Sequence, residues 1–143
     1  LVEYVSTTSG WIDIEPAVDI ARNRKGGEAL EFITKAASYT VLGTDSGAVF
    51  AIATDAKVFT LPSTAKGLRY QFWNTGADSA VLLSVSPAAA DRIRGGGIAG
   101  GADNKDHQNT KATAKMYDML EIVGDGADGW IVTQKQGTWV AEA

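Results

Sequence analysis

Leu68, Tyr70 and Phe72 alternate with Arg69 and Gln71, the period-two pattern of a half-buried strand. Five further runs are short, aliphatic or aromatic and strand-sized: Val49 to Ala53, Val58 to Leu61, Ala80 to Val85, Met119 to Val123 and Trp130 to Thr133. Turn chemistry separates them, at Gly43–Gly47, Asn74–Asp78, Ser86-Pro87 and Gly124–Gly129. Many short strands joined by Gly, Asp and Asn turns predict an all-β fold: an antiparallel β-sandwich, jelly-roll-like, or a β-barrel. No helical stretches alternate with the strands, so nothing along the chain calls for a parallel sheet.

Two regions depart from this pattern. Residues 1–37 carry dispersed apolar positions, among them Trp11, Ile12 and Ile14, and a basic turn at Arg22–Gly27. They are read either as an extended N-terminal arm or as the first strands of the same sandwich, with residues 38–143 forming the β domain. Asp91 to Lys115 contains Gly95-Gly96-Gly97, Gly100-Gly101 and the polar run Asp103–Asn109, and is expected to be a long irregular loop. No repeat of about 20–50 residues is visible, which argues against solenoids and propellers.

Composition narrows the function classes. The chain has 143 residues, enough for one domain with a core of its own. It has no Cys, which excludes disulfides, thiolate metal sites and thiol nucleophiles. A net charge of −4 argues against a nucleic-acid partner bound through a broad basic face. No apolar run approaches the length that spans a bilayer, and Leu1–Ile14 lacks the pattern of a targeting segment, so no membrane partner is expected.

Candidate chemistry is sparse. His107 is the single histidine, and its neighbours Asp106 and Gln108 predict a solvated loop position. Asp125 and Asp128, like Asp103, Asn104 and Asp106, lack the spacing of an oxygen-ligand calcium loop and read as turns. Gly95–Gly97, close to Arg92 and Arg94, lacks the rest of a phosphate-binding loop. No catalytic residue, metal site or cofactor is expected, and the chain is not read as an enzyme. Of the four tryptophans, Trp130 begins an apolar strand and is assigned to the core. Trp73 lies off the Leu68/Tyr70/Phe72 parity and is expected to face outward, which suits an interface.

The strings Ala37–Phe50, Thr60–Ser63, Gly67–Gly76, Val85–Pro87, Asn109–Thr113 and Gly129–Trp139 together resemble a β module of structural proteins in tailed bacteriophages. The resemblance covers roughly residues 34–141 and is one of strand and turn style. It implies a virion structural protein on the exterior of the capsid, a decoration (cement) protein that binds the major capsid protein. It further implies a homotrimer. On that reading Trp11, Ile12 and Ile14 are arm anchors and Trp73 is a capsid or intersubunit contact. The alternative is a receptor- or glycan-binding module of a phage fibre or spike.

Overall fold

The structure is a computed structural model that describes residues 29–99 and 101–143. Among the described residues, eleven short strands alternate between two sheets for most of the chain. The strands are β1 (Phe32–Lys35), β2 (Tyr39–Thr40), β3 (Val49–Ile52), β4 (Lys57–Thr60), β5 (Arg69–Asn74), β6 (Leu83–Ser86), β7 (Arg92–Gly95), β8 (His107–Asn109), β9 (Met119–Gly124), β10 (Gly129–Gln136) and β11 (Val140–Ala141). A six-stranded sheet runs in the order β1-β3-β5-β9-β10-β7, and a five-stranded sheet in the order β11-β8-β6-β4-β2. Glu31–Ala143 form one compact unit. The sequence-predicted arm anchors Trp11, Ile12 and Ile14 lie outside the described residues, as does most of the 1–37 segment. Its described end includes β1, which is a strand of the larger sheet.

The all-β, sandwich-like expectation holds, but the purely antiparallel one does not. β1, β3 and β5 are mutually parallel, as are β2, β4 and β6, and β7 lies parallel to β10. A parallel pair needs a long crossover, commonly a helix. Here the crossover is a strand of the opposite sheet, so the first six strands wind as a flattened coil without an α-helix; the one helical turn among them is a 3-10 turn at Gly43–Asp45. Phe32 stands beside Val49 and Val49 beside Gln71, so successive turns are 17 and 22 residues apart. On the other sheet Tyr39 stands beside Phe59 and Phe59 beside Val85, spacings of 20 and 26. These unequal turns leave no fixed period, which is why the coil is invisible as a sequence repeat.

The inner faces meet in an aromatic core. Phe50 and Phe72 stack at 5.7 Å between ring centroids, and Phe59 of the opposite sheet lies 5.4 Å from Phe50 and 5.1 Å from Phe72. Tyr70 packs against Trp130 at 5.6 Å, and its hydroxyl donates to the Leu42 carbonyl at 2.9 Å. The period-two reading of Leu68 to Phe72 is realised in β5: Tyr70, Phe72 and Asn74 point inward, while Arg69, Gln71 and Trp73 point outward. Trp130 is in the core, as expected.

The Asp91–Lys115 stretch is not one long loop. It contributes β7 and β8, and His107 is fully buried rather than solvated. β8 alternates, with His107 and Asn109 inward and Gln108 outward. It is held by β6 on one side and β11 on the other, with His107 opposite Val85 and Ala141. Neither ring nitrogen of His107 has a hydrogen-bond partner among the described residues. Burial pushes its pKa below the ordinary 6.5, and the opposing pull of Asp106 is smaller.

A pH dependence follows from that burial. The unfolded chain takes up the His107 proton before the folded one does. The stability gained by keeping this ring neutral is therefore complete above about pH 6.5 and is lost as the pH falls through the depressed folded-state pKa. Thermal midpoints followed from about pH 8 down to about pH 5 should fall more steeply for the wild type than for His107→Leu. Parallel curves for the two proteins would contradict a neutral, buried ring.

Candidate functional site: an aromatic patch on the outer face of the six-stranded sheet

The outer face of the larger sheet carries the candidate site. Register places Phe32, Val49, Gln71 and Glu121 in one row across β1, β3, β5 and β9, and Thr34, Ala51, Trp73 and Met119 in the next. Val49 and Ala51 on β3 are small or β-branched, yet almost fully buried. The larger side chains on either side account for this. Phe32 and Trp73 meet edge to face across β3, at 6.4 Å between ring centroids. Trp73 in turn meets Tyr117 edge to face, also at 6.4 Å. Phe32 is 57% exposed, Tyr117 54% and its neighbour Met116 44%. The result is a continuous apolar surface of three aromatic rings, of the kind that marks an interaction site.

Trp73 is anchored by a polar network on the same face. Its indole Nε1 donates to Gln71 Oε1 at 3.0 Å, and Gln71 Nε2 donates to Glu121 Oε2 at 2.9 Å. The same carboxylate oxygen accepts from Arg69 Nε at 2.8 Å and from a second guanidinium nitrogen at 2.6 Å. Thr133 Oγ1 donates to the other oxygen at 2.8 Å. Burial raises the Glu121 pKa, but the hydrogen bonds from Arg69, Thr133 and Gln71 and the Arg69 charge outweigh it. Glu121 thus sits below the usual carboxylate range. Its charge is fully satisfied by the protein, so the network orients the indole and leaves the aromatic faces as the available surface.

Tyr117 is the patch residue that sequence reasoning missed. Its φ is +71°, a left-handed conformation that is unfavourable for a bulky side chain. The turn is held there by a dense set of bonds. Tyr117 N–H donates to the Asn74 carbonyl at 2.6 Å. Asp78 accepts from Met116 N–H at 2.9 Å and from Lys115 Nζ at 3.2 Å. Asp118 accepts from Lys115 N–H at 2.9 Å. The backbone bond from Met116, with the Lys115 ammonium, holds the Asp78 carboxyl below its ordinary pKa. A strained aromatic residue held at the surface by its surroundings is a pointer to function. A lone Tyr in a polar stretch carries no such signal in the sequence.

The other sequence candidates have structural roles. Asp125 Oδ1 accepts from the N–H groups of Ala127 at 2.7 Å and of Asp128 and Gly129 at 2.9 Å, which lowers its pKa and closes the β9–β10 turn. Arg92 pairs with Asp103 at 2.8 Å and Arg94 with Asp128 at 3.1 Å, so the arginines near Gly95–Gly97 already have carboxylate partners. No group of acidic and histidine side chains among the described residues could hold a metal ion. No family profile, curated protein or solved structure matches this chain.

Proposed function

We propose that this protein is a capsid decoration protein of a tailed bacteriophage, which binds the exterior of the head and bridges neighbouring capsomers. The observation that carries the reading is the preset patch of Phe32, Trp73 and Tyr117 on the outer face of the sandwich. It agrees with the phage-module resemblance of residues 34–141. The only histidine is buried with no hydrogen-bond partner among the described residues, which suits a contact protein better than an acid–base catalyst. The partners on this reading are the major capsid protein and further copies of this chain in a homotrimer. Each contact can be modest, because a symmetric oligomer that engages several capsomers gains from effective concentration. Separating two capsomers then requires breaking these contacts as well.

Quantitative mass spectrometry of purified particles tests the reading. Hundreds of copies per shell are expected; a few copies confined to the tail would instead support the fibre or spike module. That second reading is favoured by the same aromatic surface, since Trp and Tyr rings also stack on sugars. A glycan array with wild type and Trp73→Ala separates the two. At Tyr117, glycine adopts the left-handed conformation freely. Tyr117→Gly should therefore leave the unfolding midpoint unchanged or raise it by up to about 1 kcal/mol in stability, while weakening binding to undecorated capsids at least tenfold. Unchanged capsid binding by this variant would remove Tyr117 from the contact.

A further inference from the structure

Among the described residues, the two sheets present four edges, and three of them are protected against further pairing. β2 and β11 are two residues long, too short to template another chain. β7 carries Arg92 and Arg94, both ion-paired, and ends in Gly95, Gly96 and Gly97, all with positive φ, which no strand continues. The chain after it also folds back, with Asn104 N–H donating to the Asp91 carbonyl at 2.9 Å. β1 is longer than β2 and β11 and lacks the glycines of β7, and its one charge, Lys35, is turned onto the Tyr39 ring at 3.5 Å from the centroid. It has four residues without Gly or Pro, and among the described residues it pairs on one side only, with β3. Val49 N–H donates to the Glu31 carbonyl at 2.8 Å, so the main chain of residues 31, 33 and 35 turns toward β3. The N–H and C=O groups of Phe32 and Thr34 therefore face the open side. The half-exposed Phe32 ring lies on the same strand.

We propose that the open edge of β1 receives an extended segment from a second copy of this chain, donated by Trp11-Ile12-Asp13-Ile14. Three observations select this occupant. An unprotected edge beside an apolar patch calls for main-chain pairing with an apolar strand. The chain has 28 residues ahead of Ala29; Leu1–Val5 and Val18–Ile20 also flank one acidic residue with apolar side chains, but Trp11-Ile12-Asp13-Ile14 is the stretch that adds a tryptophan to its β-branched residues. The residues between Ile14 and Phe32 reach up to about 60 Å when extended, enough to pass to a neighbouring molecule. Donation from each copy to the next is a head-to-tail contact, which closes into a ring when the rotation allows. The inference is independent of the capsid reading and is tested without capsids.

The test uses the full chain in two variants and reads mass by native mass spectrometry or analytical ultracentrifugation. Thr34→Pro removes an N–H on the open side and leaves the β1–β3 bonds intact, a position where an edge strand tolerates proline. Ile12→Asp with Ile14→Asp spoils the donated segment. The wild type is expected as a closed oligomer of several copies and each variant as a monomer. An equimolar mixture of the variants should form a one-to-one heterodimer, because one chain keeps a working edge and the other a working segment. Phe32→Asp replaces Thr34→Pro as acceptor variant if circular dichroism shows that the proline disturbs the fold. Val140→Asp, at an exposed apolar site on the other sheet, should leave the oligomer unchanged. A monomeric wild type, variants that stay oligomeric, or a mixture that stays monomeric would each overturn the proposal. Oligomers that form as expected yet fail to bind capsids would overturn the functional reading alone.

Discussion

Phe72→Ala is expected to lower the free energy of unfolding by about 4 kcal/mol, the largest effect of any single truncation considered for this fold. Phe72 is fully buried on a central strand of the larger sheet and touches three other rings: Phe50, Phe59 and Tyr70. Its removal loses transfer energy and leaves a cavity, and the rigid neighbours on both sheets cannot collapse into it. Domains of this size are stable by only about 5–15 kcal/mol, so the variant should sit near the edge of folding. Urea unfolding should show the midpoint moving sharply lower with an unchanged slope. A loss below about 1 kcal/mol would mean that the two sheets do not share this core.

Asn109→Leu is expected to cost about 3 kcal/mol, although leucine is apolar and similar in size. Asn109 is fully buried on β8 and joins the two sheets through hydrogen bonds. Its amide nitrogen donates to Asp118 Oδ2 at 2.8 Å and to the Thr138 carbonyl at 3.0 Å. Its Oδ1 accepts from Asn74 Nδ2 at 2.7 Å, and Asn74 Oδ1 accepts from Gly76 N–H at 3.0 Å. Leucine would strip the nearly buried Asp118 carboxylate of its side-chain donor and leave the Thr138 carbonyl short of one as well. A buried polar network broken at one member is worse than an apolar site built as such. Because Asp118 also holds the turn before Tyr117, amide exchange should quicken in residues 115–118 along with the global loss. A stable variant with an unchanged exchange pattern would show that water replaces the missing amide.

Much of the architecture was readable from the order of residues. The alternation at Leu68–Phe72 and the apolar runs of β3, β4, β6, β9 and β10 announce strands, because burial on one face imposes a period of two whatever the partner. The Asp125 turn was equally readable, since Asp closes such turns through local hydrogen bonds. β8 was not. Its inward residues are His107 and Asn109, polar side chains that hydropathy assigns to solvent, and only their long-range surroundings make burial tolerable. β7 was obscured in the same way, with a single inward apolar residue, Ile93, between two arginines. At the candidate site, parity alone turned Trp73 outward, whereas Tyr117 owes its position to Asp78, Asn74 and Asp118, contacts distant in sequence or meaningful only in the folded turn.

Local periodicity and turn residues were therefore enough to predict the all-β fold of the described residues, with Trp130 in the core and Trp73 on an outer face. Pairing was another matter. Whether two strands run parallel depends on which sheet the intervening chain visits, and residues far apart set that choice through the shared core. The mixed sheets, the burial of His107 and the contrast between the edge of β1, unpaired among the described residues, and its three protected counterparts all arise at that level. They depend on which strand lies next to which, and side-chain patterns within one strand carry no record of its neighbours.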